Sequence, residues 1–181
     1  MDDQRPKLLL HVCCSPCATY SSYESLAPRY DLTWYFDNSN LSSRQEYDKR
    51  LSYVRLMAEK FGWPLLVEPY RHDIWQALVC GREHDPERGA RCQLCYRSRL
   101  LSTAKRAASS GFDYFSTSLL VSPYKDTEKI NGLGRGLAAA FGSAFLDFDF
   151  QADDGYRRSQ DMAKALGLYR QKFCGCEYSL R

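Results

Sequence analysis

Seven of the eight cysteines in this chain fall into three groups: Cys13, Cys14 and Cys17, then Cys92 and Cys95, then Cys174 and Cys176. Only Cys80 stands alone, and it reads as a buried core residue. The vicinal pair Cys13 and Cys14 does not favour a mutual disulfide, because the ring across one peptide bond is strained. A third thiol three residues on, a Cys-x-x-Cys and a Cys-x-Cys together point to a metal held by thiolates. A closed zinc site takes four thiolates and leaves three of the seven without work. An iron–sulfur cluster also takes four, and the other three then suit a second iron or the substrate. Disulfide exchange needs one Cys-x-x-Cys and leaves the remaining thiols unexplained.

The charged side chains gather where the thiols are. From Pro86 to Arg106 there are six basic residues (Arg88, Arg91, Arg97, Arg99, Lys105, Arg106) against Glu87 alone. Arg157, Arg158, Lys164, Arg170 and Lys172 form a second basic cluster near the last cysteines, flanked by Tyr156 and Tyr169. Cations and aromatic rings together suit an unpaired base and its phosphates, and they equally suit solvated helix faces and ordinary packing. The net charge of +3 is too small to decide between these by itself.

The 181 residues, 44% hydrophobic and 26% charged, are enough for one domain with a full core. We expect a single domain over residues 1–181, with the segment 154–181 supplying part of the site. The charged start from Met1 and the short apolar run Leu8 to Val12 suit neither a leader nor a membrane span, which places the protein in the cytoplasm. There, eight thiols stay reduced and argue for metal chemistry rather than a disulfide framework.

Strands are expected at Lys7–Val12, Tyr30–Phe36, Trp63–Val67, Asp113–Thr117 and Ala144–Phe148. Helices are expected from Ser15 to about Leu26, with Ser15 as N-cap and Pro16 first in the helix, and over Arg44–Phe61, Cys92–Ser109, Asp126–Phe141 and Tyr156–Leu166. Glu68 to Ala90 reads as irregular, its Gly81–Gly89 part as an exposed loop carrying His84, with His72 also at the surface. The alternation predicts an α/β fold, an open parallel sheet of about five strands with helices on both faces. Ligands bind such sheets at the carboxyl ends of strands, where Cys13, Cys14, Asp37, the Thr117–Ser122 segment and the acidic turn after Phe148 all fall. Asn131-Gly-Leu-Gly-Arg-Gly136 lies within a helical stretch and so fails as a phosphate loop. His11 reads as a core residue at a strand end.

His11-Val-Cys-Cys-Ser-Pro-Cys17, Arg91-Cys-Gln-Leu-Cys-Tyr-Arg97, Ser122-Pro-Tyr-Lys125, and Asp154-Gly-Tyr-Arg-Arg-Ser159 through Leu168-Tyr-Arg-Gln171 to Tyr178 resemble the epoxyqueuosine reductase QueH family over nearly the whole chain. Phe173-Cys-Gly-Cys176 is similar to that family's Tyr-Cys-Gly-Cys with one aromatic exchanged. The resemblance implies a Rossmann-like fold of the adenine-nucleotide alpha-hydrolase-like type without its ATP loop. It implies two-electron removal of the epoxide oxygen from epoxyqueuosine at the anticodon wobble position of tRNA. It further implies a [4Fe–4S] cluster with an adjacent mononuclear iron, zinc being able to occupy the isolated protein, and no cobalamin.

On that footing all seven clustered cysteines are expected ligands. Cys13, Cys14, Cys92 and Cys95 would hold the cluster, and Cys17, Cys174 and Cys176 the second iron. Asp37, Tyr156 and Tyr169 are the candidate proton donors. Ser122, Lys125, Arg157, Arg158 and Arg170 would hold the wobble nucleotide, its base turned out of the stack. The expected partners are a tRNA with a queuosine-type wobble base and a low-potential electron donor such as a ferredoxin or flavodoxin. A zinc-stabilised RNA-binding module without turnover and a tRNA sulfur-transfer enzyme are the competing readings.

Overall fold

The computed structural model describes residues 5–179; Met1 to Gln4, part of the charged start, lie outside them. Five parallel strands, β1 (Lys7–His11), β2 (Asp31–Phe36), β3 (Leu65–Val67), β4 (Tyr114–Thr117) and β5 (Ala144–Phe145), form one sheet in the order β3-β2-β1-β4-β5. Six α-helices join them: α1 (Ser15–Ser21), α2 (Arg44–Phe61), α3 (His72–Val79), α4 (Ala90–Ser109), α5 (Thr127–Phe141) and α6 (Gly155–Ala165). Helices α1, α2 and α6 pack along one face, with α4 and α5 packed together on the other. Buried on both sides, the centre of β1 is apolar, and Leu8, Leu9 and Leu10 are fully enclosed.

The expected α/β architecture is therefore present, with local differences. The N-cap of α1 is Cys14 rather than Ser15, and that helix ends at Ser21, passing into a π-helical turn over Ser22–Leu26. Ser15 is buried with its hydroxyl unpartnered, so it gives no cap. The stretch read as irregular contains α3, whose Trp75 and Val79, four apart, bury one face. Its run is too short to show helical periodicity against the loop that follows. Strand β5 is two residues long; the Leu146 N–H still bonds the Phe115 carbonyl of β4, but the Leu146 carbonyl accepts from the Ser116 hydroxyl at 2.9 Å. Cys80 is exposed, since it caps α3 at the edge of the loop. The glycine run lies inside α5, where Gly134 packs on the Phe145 ring and leaves no room for a β-carbon.

The sheet order reverses between β1 and β4. A crevice opens at the carboxyl ends of strands that diverge in this way. Cys13 and Cys14 follow β1 directly, and Ser118 follows β4, so the first cysteine group sits at that switch point.

Candidate metal centre

Cys13, Cys14 and Cys17 lie with their sulfurs all within 4.8 Å of one another. The spacing accounts for this. Cys14 ends the extended segment, and Cys17, in the first turn of α1, is carried back over it. Ser118 Oγ accepts from the Cys13 amide at 3.0 Å and donates to its sulfur at 3.3 Å, tying the triad to the end of β4. Gln171 Nε2 donates to Cys14 Sγ at 2.9 Å from the C-terminal segment. The Cys14 and Cys17 thiols both favour a single negative charge on Cys13, whose pKa falls well below the usual thiol value. Cys14 and Cys17, beside that charge, are pushed up and keep their protons.

The other four thiols form a second set. Cys92 and Cys95 lie one turn apart in the first turns of α4. Cys174 and Cys176 come from the extended C-terminal segment, which is clamped to α2. Arg50, buried and paired with Glu46 at 2.7 Å, donates to the Cys174 carbonyl at 3.1 Å. Gly175, at φ 129°, lies against Leu41 and Arg50 with no room for a side chain. Cys95 and Cys176 belong to one apolar cluster with Trp75 and Val79. Burial pushes Cys95 up to about 11, opposed chiefly by Arg99, while the charges of Cys174 and Cys176 reinforce the rise. Burial also raises Cys92 and Cys176, and Cys174 adds to both shifts.

Among the described residues only Cys13, Cys14 and Cys17 bring three sulfurs within 4.8 Å, whereas the expected partition set Cys13 and Cys14 with Cys92 and Cys95, and Cys17 with Cys174 and Cys176. No disulfide links any of the eight.

A cavity of about 480 Å³ opens onto both sets, lined by Cys13 and Cys17 on one side and Cys174 on another. Tyr156, Lys125, Ser122 and Arg170 of the expected site also line it. Lys125 Nζ donates to Cys174 Sγ at 2.8 Å, and the attraction of that sulfur raises the ammonium pKa against its burial. Burial raises the Tyr156 hydroxyl, with Tyr124 and Cys17 adding to the shift. Tyr124 and Tyr156 meet edge to face, with centroids 6.0 Å apart at 88°. Ser122 Oγ accepts from the Tyr124 amide at 3.3 Å and shapes the turn that presents it.

The remaining expected residues lie elsewhere. Tyr169 donates to Glu46 Oε2 at 3.2 Å beneath the ammonium of Lys49, fastening the C-terminal segment to α2. Asp37 is largely buried at the end of β2; desolvation raises its pKa, opposed by a bond from Ser102 and by Arg99. Arg157 pairs with Asp154 at 2.7 Å, and Arg158 Nη1 donates to the Tyr20 hydroxyl at 3.1 Å, both on the exposed face of α6. His11 is fully buried and His72 is half-buried, stacked between Tyr70 and Trp75 rather than at the surface.

Several site residues escaped the sequence reading. Arg50 and Ser118 carry no local signal, because partners far along the chain give them their roles. Arg99 stands four residues after Cys95 on the same helix and was legible from that spacing. Tyr124 and Gln171 sat inside quoted motifs without an assigned role.

The family profile described as "Epoxyqueuosine reductase QueH" matches residues 8–181. A protein of that name from Streptococcus pyogenes serotype M1 is 37% identical, the match covering 98% of this chain and 71% of the relative. One from Haemophilus influenzae is 35% identical over 100% of this chain and 74% of its own length. Among solved structures, the U34-tRNA thiolase NcsA from Methanococcus maripaludis with its [4Fe-4S] cluster is similar in fold, with a TM-score of 0.61 at 14% identity. That match covers 98% of this chain and 61% of the thiolase.

Proposed function

The chain belongs to the epoxyqueuosine reductase QueH family, and from that premise we propose which side chains of the cavity carry the reaction. The protein is an oxidoreductase acting on tRNA that converts epoxyqueuosine to queuosine. The epoxide oxygen leaves as water: two C–O bonds break, one C=C bond forms, and two electrons and two protons are taken up.

The donor set fits an iron–sulfur cluster with a second iron. Cys92, Cys95, Cys174 and Cys176, two of them buried and two half-buried, feel one another's charge. The Cys13, Cys14 and Cys17 triad gathers three sulfurs within 4.8 Å and would hold a single iron. When bound, these groups supply electrons singly and a Lewis acid for the oxygen.

The observation that carries the reading is that thiols of both sets, two tyrosines (Tyr124 and Tyr156) and five cationic side chains (Arg50, Arg99, Lys125, Arg170 and Lys172) line one cavity. Its volume lies within the range of small-ligand sites, which suits a base turned out of its stack. Tyr156 keeps its proton at neutral pH and is our proton donor to the epoxide oxygen. Of the three candidates it alone, among the described residues, lines the cavity. We assign Tyr169 a positioning role through Glu46, and Asp37 a positioning role through Ser102. Lys125, Ser122 and Arg170 hold the nucleoside and its phosphate, while Arg157 and Arg158 meet the tRNA backbone outside the cavity. A low-potential ferredoxin or flavodoxin supplies the electrons.

The test is mass spectrometry of the wobble nucleoside after anaerobic incubation of iron-loaded protein, reductant and epoxyqueuosine-containing tRNA. Queuosine is expected. An unchanged nucleoside on tRNA that still binds would support the non-catalytic RNA-binding reading instead.

A further inference from the structure

Two buried cations line the cavity: Arg50, which is paired with Glu46, and Arg99, 5% exposed in the middle of α4. It follows Cys92 by seven residues and Cys95 by four, so it shares their helix face. A guanidinium cannot shed its charge, and burying that charge is costly unless opposite charge meets it.

Its hydrogen bonds go to neutral groups. Nη2 donates to Asn38 Oδ1 at 2.5 Å, and Nε donates to His11 Nε2 at 3.3 Å. His11 Nε2 also lies 3.2 Å from the Asp37 carbonyl, and Nδ1 lies 2.8 Å from Thr117 Oγ1, so the ring is held from both sides. Burial and the same guanidinium hold His11 neutral, its pKa lowered to about 3. The pair Asn38 and His11 therefore aims the side chain without neutralising it, and the Asp37 carboxyl, which Arg99 also attracts, is itself pushed toward its neutral form by burial.

The largest attractions Arg99 feels are to sulfur: Cys95, Cys13 and Cys174, one from each cysteine-bearing segment. We infer that Arg99 is the built-in counter-charge of the metal centre, set between the two thiol groups to offset the negative charge that gathers when both bind metal and when an electron arrives. It acts through the thiolates and touches no substrate, so it is a positioning residue for the electron transfer. A fixed positive charge beside the centre favours the reduced form and so raises the reduction potential.

This inference rests on the iron–sulfur reading given above. It is tested by loading wild type, Arg99→Gln and Arg99→Lys anaerobically, without tRNA, and measuring iron per chain and the reduced fraction against applied potential. Arg99→Gln is expected either to lower the reduced-to-oxidised ratio about tenfold at a given potential, a midpoint about 59 mV lower for one electron, or to retain no iron. Arg99→Lys, which keeps the charge and loses the fork, is expected to hold iron and stay within about threefold of wild type, at most about half of that midpoint shift. Any result in which the lysine variant does no better than the glutamine variant overturns the inference, whether both match wild type or both lose iron. Wild type that takes up no iron overturns the iron–sulfur reading itself.

Discussion

Gly175 stands so close to Arg50 that a β-carbon on it would lie 3.1 Å from Nη2 and 3.2 Å from Nη1 of the guanidinium, as well as colliding with Leu41. The same residue holds φ at 129°, a conformation that side chains disfavour. Gly175→Ala should therefore displace both flanking cysteines and lower bound iron to less than half of wild type, read by colorimetric iron assay. Gly132→Ala is the contrast, since that position is exposed inside α5 with open space around it. It should stabilise the fold by about 0.5–1 kcal/mol in urea titration.

The division of thiols into three and four predicts separable losses. Cys95→Ser or Cys176→Ser should remove the broad visible absorbance of a cluster together with about four irons per chain. Cys17→Ser should keep that absorbance and lose the additional iron. Cys80→Ser, at an exposed position, should match wild type in both. Loss of the cluster on mutation of Cys17 to the same degree as on mutation of Cys95 would overturn the division.

Tyr156 faces the cavity, while the Tyr169 hydroxyl is spent on Glu46. Tyr156→Phe should lower kcat by about 10²-fold with tRNA affinity and iron content unchanged. Tyr169→Phe should leave kcat within about threefold, the effect of a lost surface-linking hydrogen bond. Single-turnover conversion of the nucleoside separates the two.

Arg157 and Arg158 project from α6 outside the cavity, where they can reach phosphates without touching the reacting base. Reversing both to glutamate should weaken tRNA binding and flatten its dependence on salt by about one to two units of log–log slope. Iron content should stay at the wild-type level. Fluorescence anisotropy across a salt series measures the slope.

Asp37 has a folded-state pKa above its unfolded value, because burial penalises its charge more than Ser102 and Arg99 relieve it, with Glu68 adding to the rise. The stability its protonated form contributes is complete below the ordinary carboxylate range and is lost as pH rises through the folded pKa. Asp37→Asn cannot titrate. Relative to wild type it should therefore raise the urea midpoint more at pH 7 than at pH 4.

The strands, most helices and the cysteine groups were legible because each rests on local pattern: the apolar run of β1, the heptad-like face of α2, the cap at Gly62. Helix α3 was hidden because only two of its eight residues are buried, so its amphipathic signal is brief. The gathering of Cys17 with the vicinal pair follows from its place in the first turn of α1 and was open to a reading of spacing, whereas Arg50 holding the Cys174 carbonyl across 124 positions of sequence leaves no trace there. Tyr156 and Tyr169 looked equivalent in the sequence, and only the presence of Glu46 beside one of them separates their work.

Gln171 reaches Cys14 across 157 positions, so the first cysteine group meets its C-terminal neighbours only after the sheet has closed between them. Iron arriving at a nascent chain would find the N-terminal triad and little else. On the iron–sulfur reading the complete centre would thus be a late product of folding, reached through the cavity that Cys13, Cys17 and Cys174 share.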